Sequence, residues 1–90
     1  MNRVSRTVRI SNRRGLHARA SAKFVTLAST QSGEVIVEKD GSSVTGTSIM
    51  GLMMLGAAMG DEITISAEGP DADAVVATMA ALVEDRFGEE

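Results

Sequence analysis

The sequence predicts an α+β fold in which helices cover one face of a single antiparallel β-sheet, with elements in the order βαββαβα. Three observations support this prediction. Two segments alternate apolar and polar residues, two others place apolar residues at helical spacing, and an Asp-Gly pair marks a β-hairpin. Ninety residues suit one domain, so we expect residues 1–90 to form a single open-faced β-sandwich with four strands and three helices.

The first part of the chain contains a strand followed by a helix. Residues 4–10 alternate with period two and predict a half-buried strand, and the polar loop 11–15 ends at Gly15. Apolar residues at helical spacing predict a helix over residues 18–30 that stops before Gly33. The predicted apolar face of this helix contains Ala18, Ala20, Ala22, Phe24, Val25, Leu27 and Ala28.

The middle of the chain predicts a hairpin and a short helix. Residues 34–38 and 42–45 flank the Asp-Gly turn at 40–41 and predict two paired strands. Ser48 is a candidate N-cap for a short helix that runs to Leu55.

A strand and a helix complete the predicted fold. Residues 62–67 alternate as a strand, and Asp71 is a candidate N-cap for the last helix. The apolar stripe of that helix comprises Val75, Val76, Met79, Leu82, Val83 and Phe87.

Composition excludes several classes of function. The chain has no cysteine and one histidine, so disulfides, thiolate or His-rich metal sites and thiol redox chemistry are excluded. A net charge of −3, from 12 acidic and 9 basic residues, argues against sequence-independent nucleic-acid binding. A chain this short forms one thin core without a deep cleft, which argues against an enzyme that needs a small-molecule pocket.

No segment is typical of a membrane or secreted protein. The most apolar stretches, residues 49–59 and 75–83, are far too short to span a bilayer. Residues 1–6 lead into an alternating pattern and not into an apolar run, so we expect no signal peptide. The expectation is a soluble cytoplasmic protein that binds neither membrane nor nucleic acid.

Basic residues concentrate early in the chain, whereas the C-terminal half is acidic. This asymmetry fits the handling of an anion by the N-terminal part, although a simply mixed surface is the alternative. The basic residues before residue 24 are Arg3, Arg6, Arg9, Arg13, Arg14, Arg19 and Lys23.

The only histidine, His17, directly precedes the first predicted helix. The backbone N–H groups of Ala18, Arg19 and Ala20 lack intrahelical acceptors, and the positive end of the helix dipole lies there. The Arg19 side chain adds a planar donor suited to phosphate oxygens. An imidazole is a competent nucleophile near neutral pH. Together these residues form a site at which His17 can carry a phosphoryl group; the alternative, which a lone histidine before a helix favours, is that His17 only caps the helix.

Two segments resemble the signatures of one protein family. Residues 15–19, Gly-Leu-His-Ala-Arg, resemble the active-site motif of HPr, the histidine-containing phosphocarrier of the bacterial phosphotransferase system. Residues 47–55, Thr-Ser-Ile-Met-Gly-Leu-Met-Met-Leu, resemble the second HPr signature, around its regulatory serine. The likeness covers essentially the whole chain, including residues 65–69.

The resemblance implies a covalent phosphoryl carrier with an HPr-like fold and not an enzyme. It implies that phosphorylated enzyme I modifies His17 on Nδ1, and that A-type components accept the group in sugar uptake or nitrogen-related regulation. It implies no cofactor and no metal on the carrier, and a monomer suits such alternating contacts. It also implies that HPr kinase/phosphorylase phosphorylates Ser48.

The segment after Ser48 is too apolar for a short helix with one buried side. We predict that Leu52 and Leu55 face inward and that the remaining apolar residues form a partly exposed docking surface for partners. These docking residues are Ile49, Met50, Met53 and Met54. The alternative is that all of them belong to the core. A phosphate on Ser48 would meet the helix N-terminus and add up to about two negative charges to this surface.

One position departs from the family pattern. Where HPr proteins usually have proline, this chain has Ala20, which keeps its backbone N–H. We expect phosphotransfer to survive and the phosphorylated state to gain a backbone hydrogen bond, at some cost in rigidity.

Two other functions fit parts of the sequence. A small-molecule-sensing regulatory module of ferredoxin-like type would leave His17 and Ser48 as caps and would bind its ligand at a dimer interface. A nucleic-acid or metal-carrier module of similar strand order is disfavoured by acidity and by the absence of Trp, Tyr and Cys.

Overall fold

Four strands and three helices follow one another in the predicted order βαββαβα. The computed structural model describes residues 3–89, so residues 1, 2 and 90 of the predicted domain lie outside the described residues. The strands are β1 Arg3–Arg9, β2 Val35–Lys39, β3 Ser42–Thr45 and β4 Glu62–Glu68. The helices are α1 Ala18–Ala28, α2 Ile49–Met54 and α3 Ala72–Glu84, followed by a 3-10 turn over Arg86–Gly88.

The strands form one antiparallel sheet in the order β1-β4-β2-β3. β1 pairs with β4 along its whole length, with Thr7 opposite Thr64. The β2–β3 hairpin turns at Asp40 and Gly41, whose φ angles of 51° and 84° are those of a two-residue type I′ turn. The predicted hairpin and the predicted α+β architecture are therefore confirmed.

The helices cover one face of this sheet, and a single apolar core lies between the two layers. Alternate residues of each strand point into the core because successive strand side chains face opposite sides of a sheet. The fully buried core residues include Phe24, Val37, Leu52, Ile63, Ile65, Met79 and Val83.

The buried face of α1 differs from the predicted one. Ala18 is exposed, and the helix ends at Ala28 instead of residue 30. Because the helix begins directly after His17, residues one turn apart from position 20 onward face the sheet. Ser21 is buried beside them, and its hydroxyl donates to the Leu16 carbonyl oxygen at 3.2 Å. The buried residues of α1 are Ala20, Ser21, Phe24 and Ala28.

Asp71 is the N-cap residue of α3, as predicted, but two details of the predicted helix are wrong. The Asp71 carboxylate does not bond to the helix N-terminus; it accepts a hydrogen bond from the Ser32 hydroxyl at 2.9 Å. The backbone of Asp71, with ψ of 13°, is not in the extended conformation from which a capping side chain reaches the first turn. Phe87 belongs to the 3-10 turn after α3 and not to its stripe, although it is fully buried.

The loop before α1 is held against the loop after α2. The Ile10 N–H donates to the Asp61 carbonyl at 2.8 Å, and the Leu16 N–H donates to the Ala57 carbonyl at 3.0 Å. Gly15 lies at this contact with a φ of +63°, and a Cβ there would lie 2.3 Å from the Ala57 carbonyl oxygen. Only glycine therefore permits this approach, which fixes the point at which α1 begins.

We expect Gly15→Ala to lower the free energy of unfolding by about 3 kcal/mol, because left-handed backbone strain and the overlap with Ala57 both contribute. Gly56→Ala is a matched control, since the φ of Gly56 is +67° but no described atom lies within 4 Å of the added Cβ. The control should lose about 1 kcal/mol. Urea denaturation measures both values, and equal losses would contradict the role given to the loop contact.

Candidate functional site

His17 is the N-cap of α1. Its backbone is extended, with φ of −74° and ψ of 179°, and its carbonyl oxygen accepts the first helical hydrogen bond from the Ser21 N–H at 2.9 Å. The side chain accepts at Nδ1 from the Arg19 N–H at 3.2 Å. The imidazole is 13% exposed, so it lies near the surface. The predicted position of His17 at the opening of the first helix is therefore found.

Three backbone N–H groups surround this helix opening. Those of Ala18 and Ala20 have no acceptor among residues 3–89, as expected of the first turn of a helix. That of Arg19 is engaged by the imidazole. The structure thus places the three predicted phosphate-facing amides in the first turn of α1, and that of Arg19 contacts Nδ1.

The Arg19 side chain lies along α1, whereas the Arg19 backbone N–H contacts His17. It is exposed and lines a shallow apolar groove along α1 with Lys23 and Leu27. Within the described part of the chain it forms neither an ion pair nor a side-chain hydrogen bond. The guanidinium is therefore near His17 in sequence but is not hydrogen-bonded to the imidazole.

The other imidazole nitrogen contacts a residue that no sequence pattern singles out. His17 Nε2 lies 2.5 Å from Oε2 of Glu89, whose side chain is 20% exposed. Glu89 Oε1 accepts from the Asn12 side-chain amide at 3.1 Å. The same Asn12 nitrogen donates to the Gly15 carbonyl at 2.8 Å, and Asn12 is fully buried. Asn12 and Glu89 thus join the site from opposite ends of the chain.

Neighbouring groups favour the ionised form of Glu89. Partial burial raises its pKa, but hydrogen bonds from His17 and Asn12, together with the charge of Lys23, hold the pKa below the ordinary value of 4.5. A carboxyl with a lowered pKa in the folded state stabilises the fold above pH 4.5, and this contribution is lost as the pH falls through the lowered value. Glu89 is therefore a carboxylate at neutral pH.

A tight turn after α3 brings Glu89 to the histidine. Arg86, Phe87 and Gly88 have consecutive positive φ values of 57°, 55° and 76°. The buried Phe87 ring anchors this turn, and its carbonyl accepts a hydrogen bond from Lys23 Nζ at 2.8 Å. We call residues 85–89 the C-terminal turn.

Ser48 caps α2 as predicted. Its hydroxyl accepts from the Gly51 N–H at 2.9 Å, and a Cβ at Gly51 would lie 2.9 Å from that hydroxyl oxygen. Ser48 is half-buried, so part of it faces solvent. The helix ends at Met54, with Leu55 as its C-cap.

The apolar residues of α2 divide between core and surface. Leu52 is fully buried and Leu55 half-buried, whereas four others form what we call the α2 surface. These are Ile49, Met50, Met53 and Met54, exposed by 41%, 69%, 41% and 80%. Met59, which the sequence analysis does not single out, is 58% exposed in the following loop. The loop that follows α2 contacts Gly15 and Leu16, and this contact links α2 to the loop that carries His17.

The described residues contain neither a metal-binding cluster nor a membrane-spanning helix. Between residues 3 and 89, no three acidic or histidine side chains cluster in a way that could hold a metal ion. In the same range, every helix is too short or too polar to cross a bilayer.

Comparisons with known proteins identify the relatives of this chain. The family model described as "PTS HPr component phosphorylation site" matches residues 4–85. Phosphocarrier protein HPr of Cupriavidus necator is 42% identical over 86 residues, which cover 96% of this chain and 97% of the relative. Phosphocarrier protein NPr of Shewanella violacea is 39% identical over 89 residues, which cover 99% and 98%.

The fold agrees with these relatives. The crystal structure of an HPr from Thermoanaerobacter tengcongensis matches this chain with a TM-score of 0.88 at 44% sequence identity, covering 100% of this chain and 99% of the other. Sequence and architecture therefore point to the same relatives.

Proposed function

Because this chain belongs to the HPr family of phosphocarriers of the phosphotransferase system, we propose that His17 accepts a phosphoryl group from phosphorylated enzyme I and passes it to A-type components. Its relatives are named phosphocarrier proteins, so the chain is a phosphoryl carrier and not an enzyme. Family membership replaces the sensing-module and nucleic-acid or metal-carrier hypotheses. The contact of His17 Nδ1 with the opening of α1 is the observation that carries the assignment of the acceptor.

The proposed transfer is a displacement at phosphorus. The lone pair of His17 Nδ1 forms the new P–N bond, while the bond between phosphorus and the donor breaks and its electron pair leaves with the donor. The N–H groups of Ala18, Arg19 and Ala20 then donate to the phosphoryl oxygens. The dipole of α1 also favours the negative charge at this end of the helix.

The exposed Arg19 side chain is proposed to bind the phosphoryl group from the solvent side of the site. Its guanidinium offers two parallel donors, which match the spacing of phosphate oxygens. Because Arg19 has no ion-pair partner among residues 3–89, it can turn toward the phosphoryl group without breaking one.

With phosphoenolpyruvate and enzyme I, we expect the wild-type protein to gain one phosphate that is acid-labile and alkali-stable. His17→Ala should gain none, because the chain has a single histidine. His17→Ser is the matched control for folding, since it restores a capping hydroxyl but no nucleophilic imidazole. Intact-mass spectrometry reads the result, and wild-type incorporation into either variant would refute His17 as acceptor.

The amide of Ala20 is an additional donor at the proposed phosphate site. Proline at this position would remove that N–H and stiffen the helix start. We expect Ala20→Pro to shorten the lifetime of the phosphohistidine several-fold and to change the transfer rate, whereas Ala20→Gly, which keeps the amide, should keep the lifetime close to that of the wild type. Hydrolysis of the isolated phosphoprotein measures this, and an unchanged lifetime and rate in Ala20→Pro would contradict the proposal.

Partners are proposed to dock on the α2 surface. Flexible thioether side chains can fit several different partner surfaces, which a carrier must meet in turn. Arg19 and the neighbouring Lys23 add positive charge on α1, which would steer acidic partners toward the histidine.

Ser48 is proposed to regulate docking as a target of HPr kinase/phosphorylase. A phosphate on its half-buried hydroxyl would lie at the start of α2, directly beside Ile49 and Met50. Its negative charge would repel acidic partners, while the helix N-terminus would tolerate it.

We expect Ser48→Asp to raise the KM of enzyme I for this protein as its substrate. The free energy of unfolding should stay nearly unchanged, because aspartate also caps helices. Ser48→Ala is the complementary control: it should lower the free energy of unfolding by about 1 kcal/mol without changing the KM. Steady-state phosphorylation and urea denaturation separate the two effects. Phosphorylation of Ser48→Asp at the wild-type KM would rule out this form of regulation.

We propose that the protein acts as a cytoplasmic monomer. The same surface must meet a donor and an acceptor in succession, which a single site near the surface of a small monomer allows. Sugar uptake and nitrogen-related regulation both fit, since the relatives named HPr and NPr are 42% and 39% identical to this chain.

A further inference from the structure

The C-terminal turn contacts the proposed acceptor histidine, but all of it except residue 85 lies outside the residues that the family model matches. The family model covers residues 4–85, whereas the carboxylate that contacts His17 belongs to Glu89. The contact is therefore a feature of this chain that membership of the family does not assign.

The hydrogen bonds around His17 define which nitrogen carries the proton. Nδ1 accepts from a backbone N–H, so it presents a lone pair and no hydrogen. The proton of the neutral ring is then on Nε2, where it donates to the Glu89 carboxylate at 2.5 Å. The nitrogen that faces the helix opening is therefore the nucleophilic one.

We propose that Glu89 is a positioning residue for phosphoryl transfer, which holds the Nε2 proton of His17 and stabilises the positive ring that forms when Nδ1 bonds to phosphorus. This inference rests on the proposed function of His17 and names a residue that acts on the same site.

The charge balance of the transfer explains why a carboxylate is useful there. When the neutral ring attacks through Nδ1, the ring gains a positive charge and keeps its Nε2 proton, and the donor leaves with the electron pair of the broken bond. No proton has to move. The Glu89 carboxylate offsets the new charge across a short, charge-assisted hydrogen bond. Onward transfer reverses the step, and the ring returns to its neutral form.

Besides His17, a direct hydrogen bond and the backbone turn that carries Glu89 hold the carboxylate in place. Asn12 donates to its second oxygen, and Asn12 is itself buried and tied to the Gly15 carbonyl. Lys23 bonds to the Phe87 carbonyl and adds a positive charge near the carboxylate. Arg86 and Phe87 both adopt left-handed backbone conformations, each of which costs an L-residue about 1–2 kcal/mol.

Such an arrangement differs from a chance contact of a chain end. The strained turn is maintained by the buried Phe87 ring and leads directly to Glu89. The charged and polar groups that face the carboxylate are His17, Asn12 and Lys23, and all three favour its ionised form. The carboxylate therefore stays charged at the pH at which a phosphocarrier works.

Two substitutions separate the charge from the hydrogen bond. Glu89→Gln keeps an acceptor oxygen but removes the charge, and Glu89→Ala removes both. Glu38→Gln is the control, because it makes the same change of net charge at an exposed position on β2. The measurements are the rate of phosphorylation by enzyme I, its split into kcat and KM, and the NMR signal of the His17 ring N–H.

We expect Glu89→Gln to reduce kcat about tenfold without changing KM, since Glu89 lies outside the α2 surface. Glu89→Ala should reduce kcat at least as much. The ring N–H signal should move upfield in both variants: partly in Glu89→Gln, whose neutral amide oxygen is a weaker acceptor than a carboxylate, and further in Glu89→Ala, which loses the hydrogen bond. Glu38→Gln should match the wild type in every measurement.

A wild-type kcat and an unchanged ring signal in both Glu89 variants would overturn the inference and leave the phosphocarrier assignment intact. A wild-type protein that takes no phosphate from enzyme I would instead overturn the assignment of His17, and the inference with it. Circular dichroism shows whether a reduced kcat results from unfolding. If Glu89→Ala unfolds, the ring N–H signal of folded Glu89→Gln decides, and a signal identical to that of the wild type counts against the inference.

Discussion

The close approach of two loops determines the rest of the site. Gly15 can lie against the Ala57 carbonyl only because it has no side chain, and the Leu16 N–H then bonds to that carbonyl. The next residue is His17, the N-cap of α1, so this contact determines where α1 begins. It also brings the loop after α2 against the loop that carries the histidine, which places two separate segments of the chain around one surface.

The two ring nitrogens meet opposite environments. Nδ1 lies at a helix N-terminus, where unpartnered amides and the helix dipole favour negative charge. Nε2 lies against the negatively charged carboxylate of Glu89. A phosphorylated imidazole combines a negative phosphoryl group on one nitrogen with a protonated second nitrogen. The site is therefore electrostatically suited to the product as well as to the free ring, although it has no deep pocket.

The sequence predicts those features that depend on local patterns. The Asp-Gly hairpin, the alternation of β4, the start of α1 at His17 and the division of α2 between core and surface all follow from neighbouring residues. The phase of the α1 face and the role of Asp71 depend on tertiary contacts and are missed. Asn12 and Glu89 are missed for the same reason: 77 positions separate them, and a left-handed turn with no sequence signature brings them together.

The exposed methionines have a consequence for the rate at which a carrier can pass on its phosphoryl group. All five large apolar side chains that residues 3–89 expose to solvent lie between positions 49 and 59. Under the proposed docking on the α2 surface, two partners that each need this short stretch would exclude one another, and no ternary complex would form around the histidine. The rate of transfer through the carrier then depends on how quickly each partner dissociates, and tighter binding by either partner would slow the whole series of transfers. Modest affinity is thus an advantage for this surface.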